Sequence, residues 1–147
     1  MITLYTIGFT KKSAEQFFEL LKSHNVRTLV DVRISNSSQL AGFAKGSDLA
    51  YFLQQIGGIG YRHMTDFAPT KELLSDYRAG KVDWAEYERV FKGLMDARGI
   101  HTRYKVEDFD RCCFLCSEET PEHCHRRLLA EYLQKQQPEQ VEIVHLV

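Results

Sequence analysis

The sequence has few of the features that mark membrane-spanning, secreted or nucleic-acid-binding proteins. No apolar run approaches the ~20 residues that a membrane span needs, and residues 1–8 lack the basic-then-apolar pattern of a signal peptide. The net charge of −1 gives no general attraction to nucleic acid or anionic membranes. These absences predict a cytoplasmic protein with no membrane partner, and they leave only local contacts for nucleic acid.

Cysteine and proline are also scarce, with four and three residues among 147. A disulfide framework would spread its cysteines to close large loops, but all four fall in one short stretch: Cys112, Cys113, Cys116 and Cys124. We therefore expect reduced thiols. The length and the 44% of hydrophobic residues fit one domain over residues 1–147 with a core of its own.

Apolar patterns of two periods alternate along the chain and predict strands and helices in turn. The predicted strands cover residues 4–7, 29–32, 59–63, 112–116 and 141–147. Favourable N-terminal capping residues precede four of the helical patterns, and they are Ser13, Ser47, Asp83 and Thr120. A further helix is predicted from Thr70 to Ala79. This alternation predicts an α/β fold, a single domain with a mainly parallel sheet flanked by helices on both faces.

Three polar segments follow predicted strands, namely residues 8–10, 33–46 and 117–125. In parallel sheets the carboxyl ends of the strands share an edge, and ligands bind just beyond it. We therefore expect Gly8, Arg33 and Cys116 to lie at one edge of the sheet.

Cys113 and Cys116 match the Cys-x-x-Cys pattern of metal and redox sites. Residues three apart on a strand point to opposite faces, so these two sulfurs cannot share one ion. We interpret Cys112 and Cys113 as core residues instead.

The end of the fourth strand and the next helix carry the candidate catalytic residues Cys116, Glu118, Cys124 and His125. A thiol near a helix N-terminus is a candidate nucleophile, and Glu118 or His125 could move protons. A metal site at the same residues is a weaker hypothesis, because adjacent helical residues lie about 100° apart whereas paired ligands lie three or four apart. A structural role for His125, as a hydrogen-bonded core histidine, stays open.

The candidate substrate-binding residues are Asp31, Arg33, Ser38 and Arg126. Guanidinium groups and free helix N–H groups bind phosphate and carboxylate, so Arg33 and Arg126 are expected to contact an anion. Asp31 closes a buried strand and is expected to pair with Arg33, and Ser38 belongs to the polar loop. Aromatic residues between 77 and 91 have helical spacing and are expected in the core.

The order of these motifs resembles a bacterial and archaeal family called domain of unknown function 488. The resemblance rests on the Leu-Tyr-Thr-Ile-Gly, Leu-Val-Asp-Val-Arg and Cys-x-Glu-x5-Cys-His-Arg elements that end at Gly8, Arg33 and Arg126. It implies a small α/β domain with a pocket formed by these residues: Asp31, Arg33, Glu118, Cys124, His125 and Arg126. It implies no reaction.

Two positions differ from the pattern of that family. Phe9 stands where the family often has histidine, and Asn36 stands where it has proline. Rhodanese-like domains offer a fold-level analogy, but they wrap the reactive cysteine in a tight anion-binding loop closed by arginine. The segment after Cys116 is longer and contains two glutamates and a proline, which argues against that chemistry.

The sequence therefore predicts an enzyme that acts on a small anionic or nucleotide-like molecule in a Cys/Glu/His/Arg cleft. A nucleic-acid or nucleobase binding module without turnover is the first alternative, and a metal-binding site at the same residues is the second. No cofactor, reaction or oligomeric state is indicated.

Overall fold

The computed structural model describes residues 1–36, 42–118 and 120–147. Its five strands form one parallel sheet in the order β3-β2-β4-β1-β5. The strands are β1 (Ile2–Gly8), β2 (Thr28–Asp31), β3 (Gly60–His63), β4 (Cys112–Cys116) and β5 (Val141–Leu146). The predicted α/β fold with a parallel sheet is confirmed.

Helices connect the strands. They are α1 (Ala14–Ser23), α2 (Gly46–Gly57), α3 (Lys71–Arg78), α4 (Trp84–Ala97), α5 (Ile100–Arg103) and α6 (His125–Gln134). The side chains of Ser13 and Asp83 accept the capping hydrogen bonds predicted for them. Thr70, which was expected to begin its helix, is the N-cap of α3, and its side chain accepts a hydrogen bond from the Leu73 N–H. The predicted cap at Ser47 is wrong, because α2 begins at Gly46 and Lys45 holds the cap position without a side-chain bond.

The predicted start of the last helix at Thr120 and Pro121 is also wrong. The chain from residue 120 to 124 forms bends and turns, and α6 begins only at His125. Cys124 is the N-cap, with an extended backbone (φ −137°, ψ 139°). Cys124 therefore precedes the helix, and its side chain is not separated from that of His125 by the 100° of consecutive helical residues.

Two apolar layers cover the two faces of the sheet. Phe17 of α1 and Leu49 of α2 belong to one layer, and Phe91 of α4 and Leu129 of α6 belong to the other. Cys113 packs in the first layer, whereas Cys112 and Cys116 pack in the second. The flanking of the sheet on both faces and the separation of Cys113 from Cys116 are both confirmed.

The carboxyl ends of β1, β2 and β4 meet at one edge of the sheet. Gly8 pairs with Cys116 in the register of β1 and β4, and the Val32 N–H donates to the Leu115 carbonyl at 3.0 Å. Arg33 follows Val32 at the same edge, so the predicted convergence of Gly8, Arg33 and Cys116 is confirmed.

Within the ranges that the structure describes, no helix is both long and apolar enough to cross a membrane.

Candidate functional site

A cavity of about 320 Å³ opens at this edge of the sheet. Its volume is at the lower end of the range for small-molecule sites. One wall carries thiols and an imidazole, and the rest is formed by cationic, aromatic and polar side chains. The residues that line it are Phe9, Arg33, Ile34, Ser35, Leu74, Tyr77, Arg78, Tyr87, Cys116, Ser117, Glu118, His123, Cys124 and His125.

The reactive wall combines the last residue of β4 with the first residues of α6. Cys116, Cys124 and His125 are all buried, with 5%, 2% and 5% of their surfaces exposed. Both sulfurs and one ring nitrogen lie within 4.8 Å of one another. The extended backbone of Cys124 causes this convergence, because it turns the side chain back toward the end of β4.

His125 is held in a fixed orientation between a backbone carbonyl and a thiol. Its Nε2 donates to the Val32 carbonyl at 2.7 Å, and its Nδ1 lies 3.6 Å from the Cys116 sulfur. A carbonyl oxygen only accepts hydrogen bonds, so Nε2 must carry a proton and Nδ1 is the nitrogen available to Cys116. The chain thus places a nucleophile, a base and an orienting group in sequence.

The two thiols of this wall differ in acidity. The Cys124 S–H donates to the Cys116 sulfur and, together with His125, holds the pKa of Cys116 well below its ordinary value, although burial opposes this. Burial raises the pKa of Cys124 well above its ordinary value, and the neighbouring Cys116 adds to the effect. Of the two thiols, Cys116 is therefore the one that loses its proton more readily and carries the negative charge of the ionised pair.

His125 responds to the same charge. Burial acts to lower its pKa, but the charge of Cys116 and the hydrogen bond to that sulfur outweigh burial and raise it. The two shifts favour the charged forms of these side chains, a thiolate at Cys116 and an imidazolium at His125. Other titratable or charged groups around the pair are Arg33 and Glu118 on the pocket wall, Tyr87 from α4 and Arg126 from α6.

Arg33 faces the pocket from the end of β2. Its Nε and Nη2 donate to the two Asp31 carboxylate oxygens at 2.8 and 2.7 Å, and Nη2 also donates to the Ala44 carbonyl. Asp31 is fully buried, and Tyr61 donates its hydroxyl to the same carboxylate at 2.6 Å. Burial and this bond to Asp31 raise the pKa of Tyr61 to about 12. The expected pairing of Asp31 with Arg33 is therefore present.

One part of the Arg33 guanidinium has no partner. Its Nη1 atom is buried and makes no hydrogen bond to the residues the structure describes. The guanidinium also lies over the Phe9 ring, 5.3 Å from its centroid, in a cation–π contact. Phe9, which replaces the histidine expected from the family resemblance, thus packs against the Arg33 guanidinium on the wall of the cavity.

Arg126 occupies a different place from the one expected. It is fully buried, does not line the cavity, and donates from Nη1 to the Glu118 carbonyl at 2.8 Å. A Cβ atom at Gly8 would lie 1.5 Å from that carbonyl oxygen, so only glycine permits this approach. Arg126 therefore supports the segment after β4 from behind, while the Glu118 side chain is exposed at the pocket.

The remaining predicted site residues are placed as follows. Asp31 lies behind Arg33 and does not line the cavity. Ser38 lies outside the described residues, so its expected ligand contact stays a prediction.

Several pocket residues were not predicted from the sequence. Tyr77 and Arg78 come from α3, Tyr87 from α4, and His123 from the turn before α6. Tyr87 is buried as its helical spacing predicted, yet it also borders the cavity. His123 stacks on Trp84 with ring centroids 4.9 Å apart. The only sequence signal was the cluster of aromatic residues in these helices, which equally indicates a core.

The same wall could also hold a metal ion. The geometric objection drawn from the sequence does not apply, because Cys124 precedes the helix and its sulfur approaches both Cys116 and His125. Two thiolates and one imidazole suit zinc, and the hydrogen bond from His125 to a backbone carbonyl is typical of zinc ligands.

Fold and site together define a parallel α/β protein with a thiol–imidazole pocket at the carboxyl edge of its sheet. The chain belongs to the family described as domain of unknown function DUF488, whose sequence profile matches residues 13–133. The expected family membership is confirmed. Searches of curated proteins and of solved structures gave no match.

Proposed function

We propose that this protein is an enzyme that uses the Cys116 thiolate to attack a small anionic, nucleotide-like molecule. The observation that carries the proposal is the chain of contacts from Cys116 to His125 Nδ1 and from His125 Nε2 to the Val32 carbonyl, on the wall of a cavity. A thiol paired with an oriented imidazole is a common arrangement for nucleophilic catalysis. The lowered pKa of Cys116 supports the same role.

The proposed reaction follows from the charge states of Cys116 and His125. The Cys116 thiolate attacks an electrophilic atom of the substrate and forms a covalent bond, and the His125 Nδ1–H gives its proton to the leaving group. A second nucleophile then releases the bound fragment. Glu118, at the mouth of the cavity, is placed to accept a hydrogen bond from the substrate or to take a proton from that second nucleophile.

The lining of the cavity favours a particular class of substrate. Arg33 and Arg78 place two cations on the cavity wall, which suit phosphate or carboxylate. The rings of Phe9, Tyr77 and Tyr87 provide flat apolar surface. A molecule with a negative group and an aromatic or sugar-like part matches both features.

The first prediction concerns the pH dependence of alkylation. A depressed pKa keeps Cys116 ionised, so its reaction with iodoacetamide should persist below about pH 8, where ordinary thiols are mostly protonated. The rate should fall only when the pH drops through the lowered pKa. Mass spectrometry of tryptic peptides after timed labelling would measure it for each cysteine, and His125→Gln should move the profile to higher pH.

The control for this experiment is Cys112→Ala, which removes a buried thiol outside the site and should leave the profile unchanged. Equal, slow labelling of all four cysteines in the folded protein would contradict the proposal. Labelling of Cys116 that begins only after treatment with a chelator would favour the metal site instead.

The second prediction tests the preference for anions. Iodoacetate should react with Cys116 faster, relative to iodoacetamide, than it does with a free thiol in solution, because Arg33 and Arg78 attract its carboxylate. Arg78→Gln should lower this ratio without unfolding the protein, since Arg78 is exposed. Lys135→Gln removes an exposed cation outside the pocket and serves as the matched control. A ratio equal to that of the free thiol would exclude an anion-selective pocket.

A second candidate function is a zinc centre at Cys116, Cys124 and His125. The observation that favours it is the separation of at most 4.8 Å among the three ligand atoms. The cavity would leave a fourth position for water or substrate, as in catalytic zinc sites. Elemental analysis of protein purified without chelators distinguishes the two functions, because the thiolate enzyme contains no stoichiometric zinc.

A further inference from the structure

The sulfurs of Cys116 and Cys124 lie together on the pocket wall and form a pair of thiols. Cys116 and Cys124 lie within 4.8 Å of each other, and the Cys124 S–H points at the Cys116 sulfur. This pair is distinct from the Cys113 and Cys116 pattern in the sequence, whose members pack on opposite faces of the sheet.

The two thiols also have complementary environments. Cys116 is flanked by His125, whereas Cys124 faces Cys116 and is otherwise buried at the start of α6. In dithiol enzymes one cysteine attacks and the second resolves the intermediate. The arrangement here has a comparable asymmetry, because the Cys116 sulfur contacts the His125 ring nitrogen at 3.6 Å and both sulfurs lie on the wall of one cavity.

We propose that Cys116 and Cys124 form a catalytic redox couple that reduces small anionic disulfides. The proposal rests on the proposed function, because it requires Cys116 as the attacking group. It adds a second nucleophile, Cys124, and a substrate class that fits a cavity containing Arg33 and Arg78.

The steps balance in atoms and electrons. The Cys116 thiolate attacks one sulfur of the disulfide RSSR, which forms a mixed disulfide and expels RS⁻. Cys124 then gives its proton to the departing thiolate and attacks the Cys116 sulfur, which releases the second half of the substrate. The products are the Cys116–Cys124 disulfide, RSH and RS⁻, so the substrate gains the two electrons that the thiol pair loses.

Reaction with oxidised glutathione, which is anionic, and with cystamine, which is cationic, tests the proposal. Intact-protein mass spectrometry of the parent should show the loss of two hydrogens and no lasting glutathione adduct. Fragmentation of the tryptic peptide 112–126 should place the new disulfide between Cys116 and Cys124. Cys124→Ser should instead retain one glutathione on Cys116, and Cys112→Ala should behave as the parent does.

The charge preference gives a second readout. Oxidised glutathione should react faster than cystamine in the parent, and Arg78→Gln should reduce the difference. Equal or faster reaction of cystamine would overturn the assignment of anionic disulfides as substrates.

The outcomes separate this inference from the proposed function. If the parent and Cys124→Ser both keep a stable glutathione adduct, Cys124 does not resolve, and the redox couple is overturned while the nucleophilic role of Cys116 stands. If Cys116 reacts with neither the disulfides nor iodoacetamide, both proposals fail.

Discussion

Asp31→Ala is expected to destabilise the protein by about 3–5 kcal/mol, the usual cost of breaking a buried ion pair by removing one partner. Asp31 is fully buried, and its carboxylate binds Arg33 through two oxygens and Tyr61 through one. Without it, a nearly buried guanidinium loses its counter-charge. Urea denaturation of the parent and the variant would measure the change in the free energy of unfolding.

Two control variants make this result specific. Glu139→Ala removes an exposed carboxylate far from the pair and should change stability by less than about 0.5 kcal/mol. The double variant Asp31→Leu/Arg33→Met removes both charges and should recover much of the loss, because no uncompensated charge remains. An effect of Asp31→Ala as small as that of Glu139→Ala would show that the pair does not hold the end of β2 together.

Gly8→Ala is expected to destabilise the protein by on the order of 3 kcal/mol, at the upper end of the usual cost of overpacking. The added Cβ would lie 1.5 Å from the Glu118 carbonyl oxygen and 2.9 Å from Arg126 Nη1. The Glu118 segment must therefore move and lose its hydrogen bond to Arg126, whose Nε and Nη2 already lack partners among the described residues. Thermal or urea denaturation measures the loss.

The matched control is Gly93→Ala in α4. A Cβ at Gly93 meets nothing within 4 Å, so alanine should be neutral or raise stability by about 0.5–1 kcal/mol through its better helix propensity. The alkylation rate of Cys116 should fall in Gly8→Ala alone, because the displaced segment follows Cys116 directly. Equal stability of the two variants would contradict the close approach at Gly8.

Local patterns sufficed to predict the sheet and most helix starts. The apolar strands and the caps at Ser13 and Asp83 depend on neighbouring residues alone, so they can be recognised without tertiary structure. The convergence of Gly8 and Cys116 also followed, because all parallel strands end at the same side.

The start of α6 could not be predicted in this way. Thr120 and Pro121 have the local preferences of a helix N-terminus. The structure instead has bends and turns over residues 120–123 and an extended backbone at Cys124, and the Arg126 side chain donates to the Glu118 carbonyl beside Gly8. This contact also keeps Arg126 out of the pocket. The sulfur of Cys124 lies close to that of Cys116, which removes the geometric argument against a metal site.

The opposite wall of the pocket depends on the packing of α3 and α4 over the sheet. Tyr77 and Tyr87 are spaced like core residues, and only their tertiary position shows that they border the cavity. Arg78 and His123 carry no distinguishing pattern in the sequence.

The strand order also determines when the reactive thiol can be assembled. β1 precedes the other strands in the chain and pairs with β4 and β5, so its pairing joins residues far apart in the sequence, such as Leu4 and Cys112. Such non-local contacts make folding slower than in helical proteins of similar length. During synthesis on the ribosome, β1 has no partner strand until residues 112–116 of β4 have been made. The cluster of Cys116, Cys124 and His125, which needs both β4 and α6, therefore forms late, after most of residues 1–147 have been made.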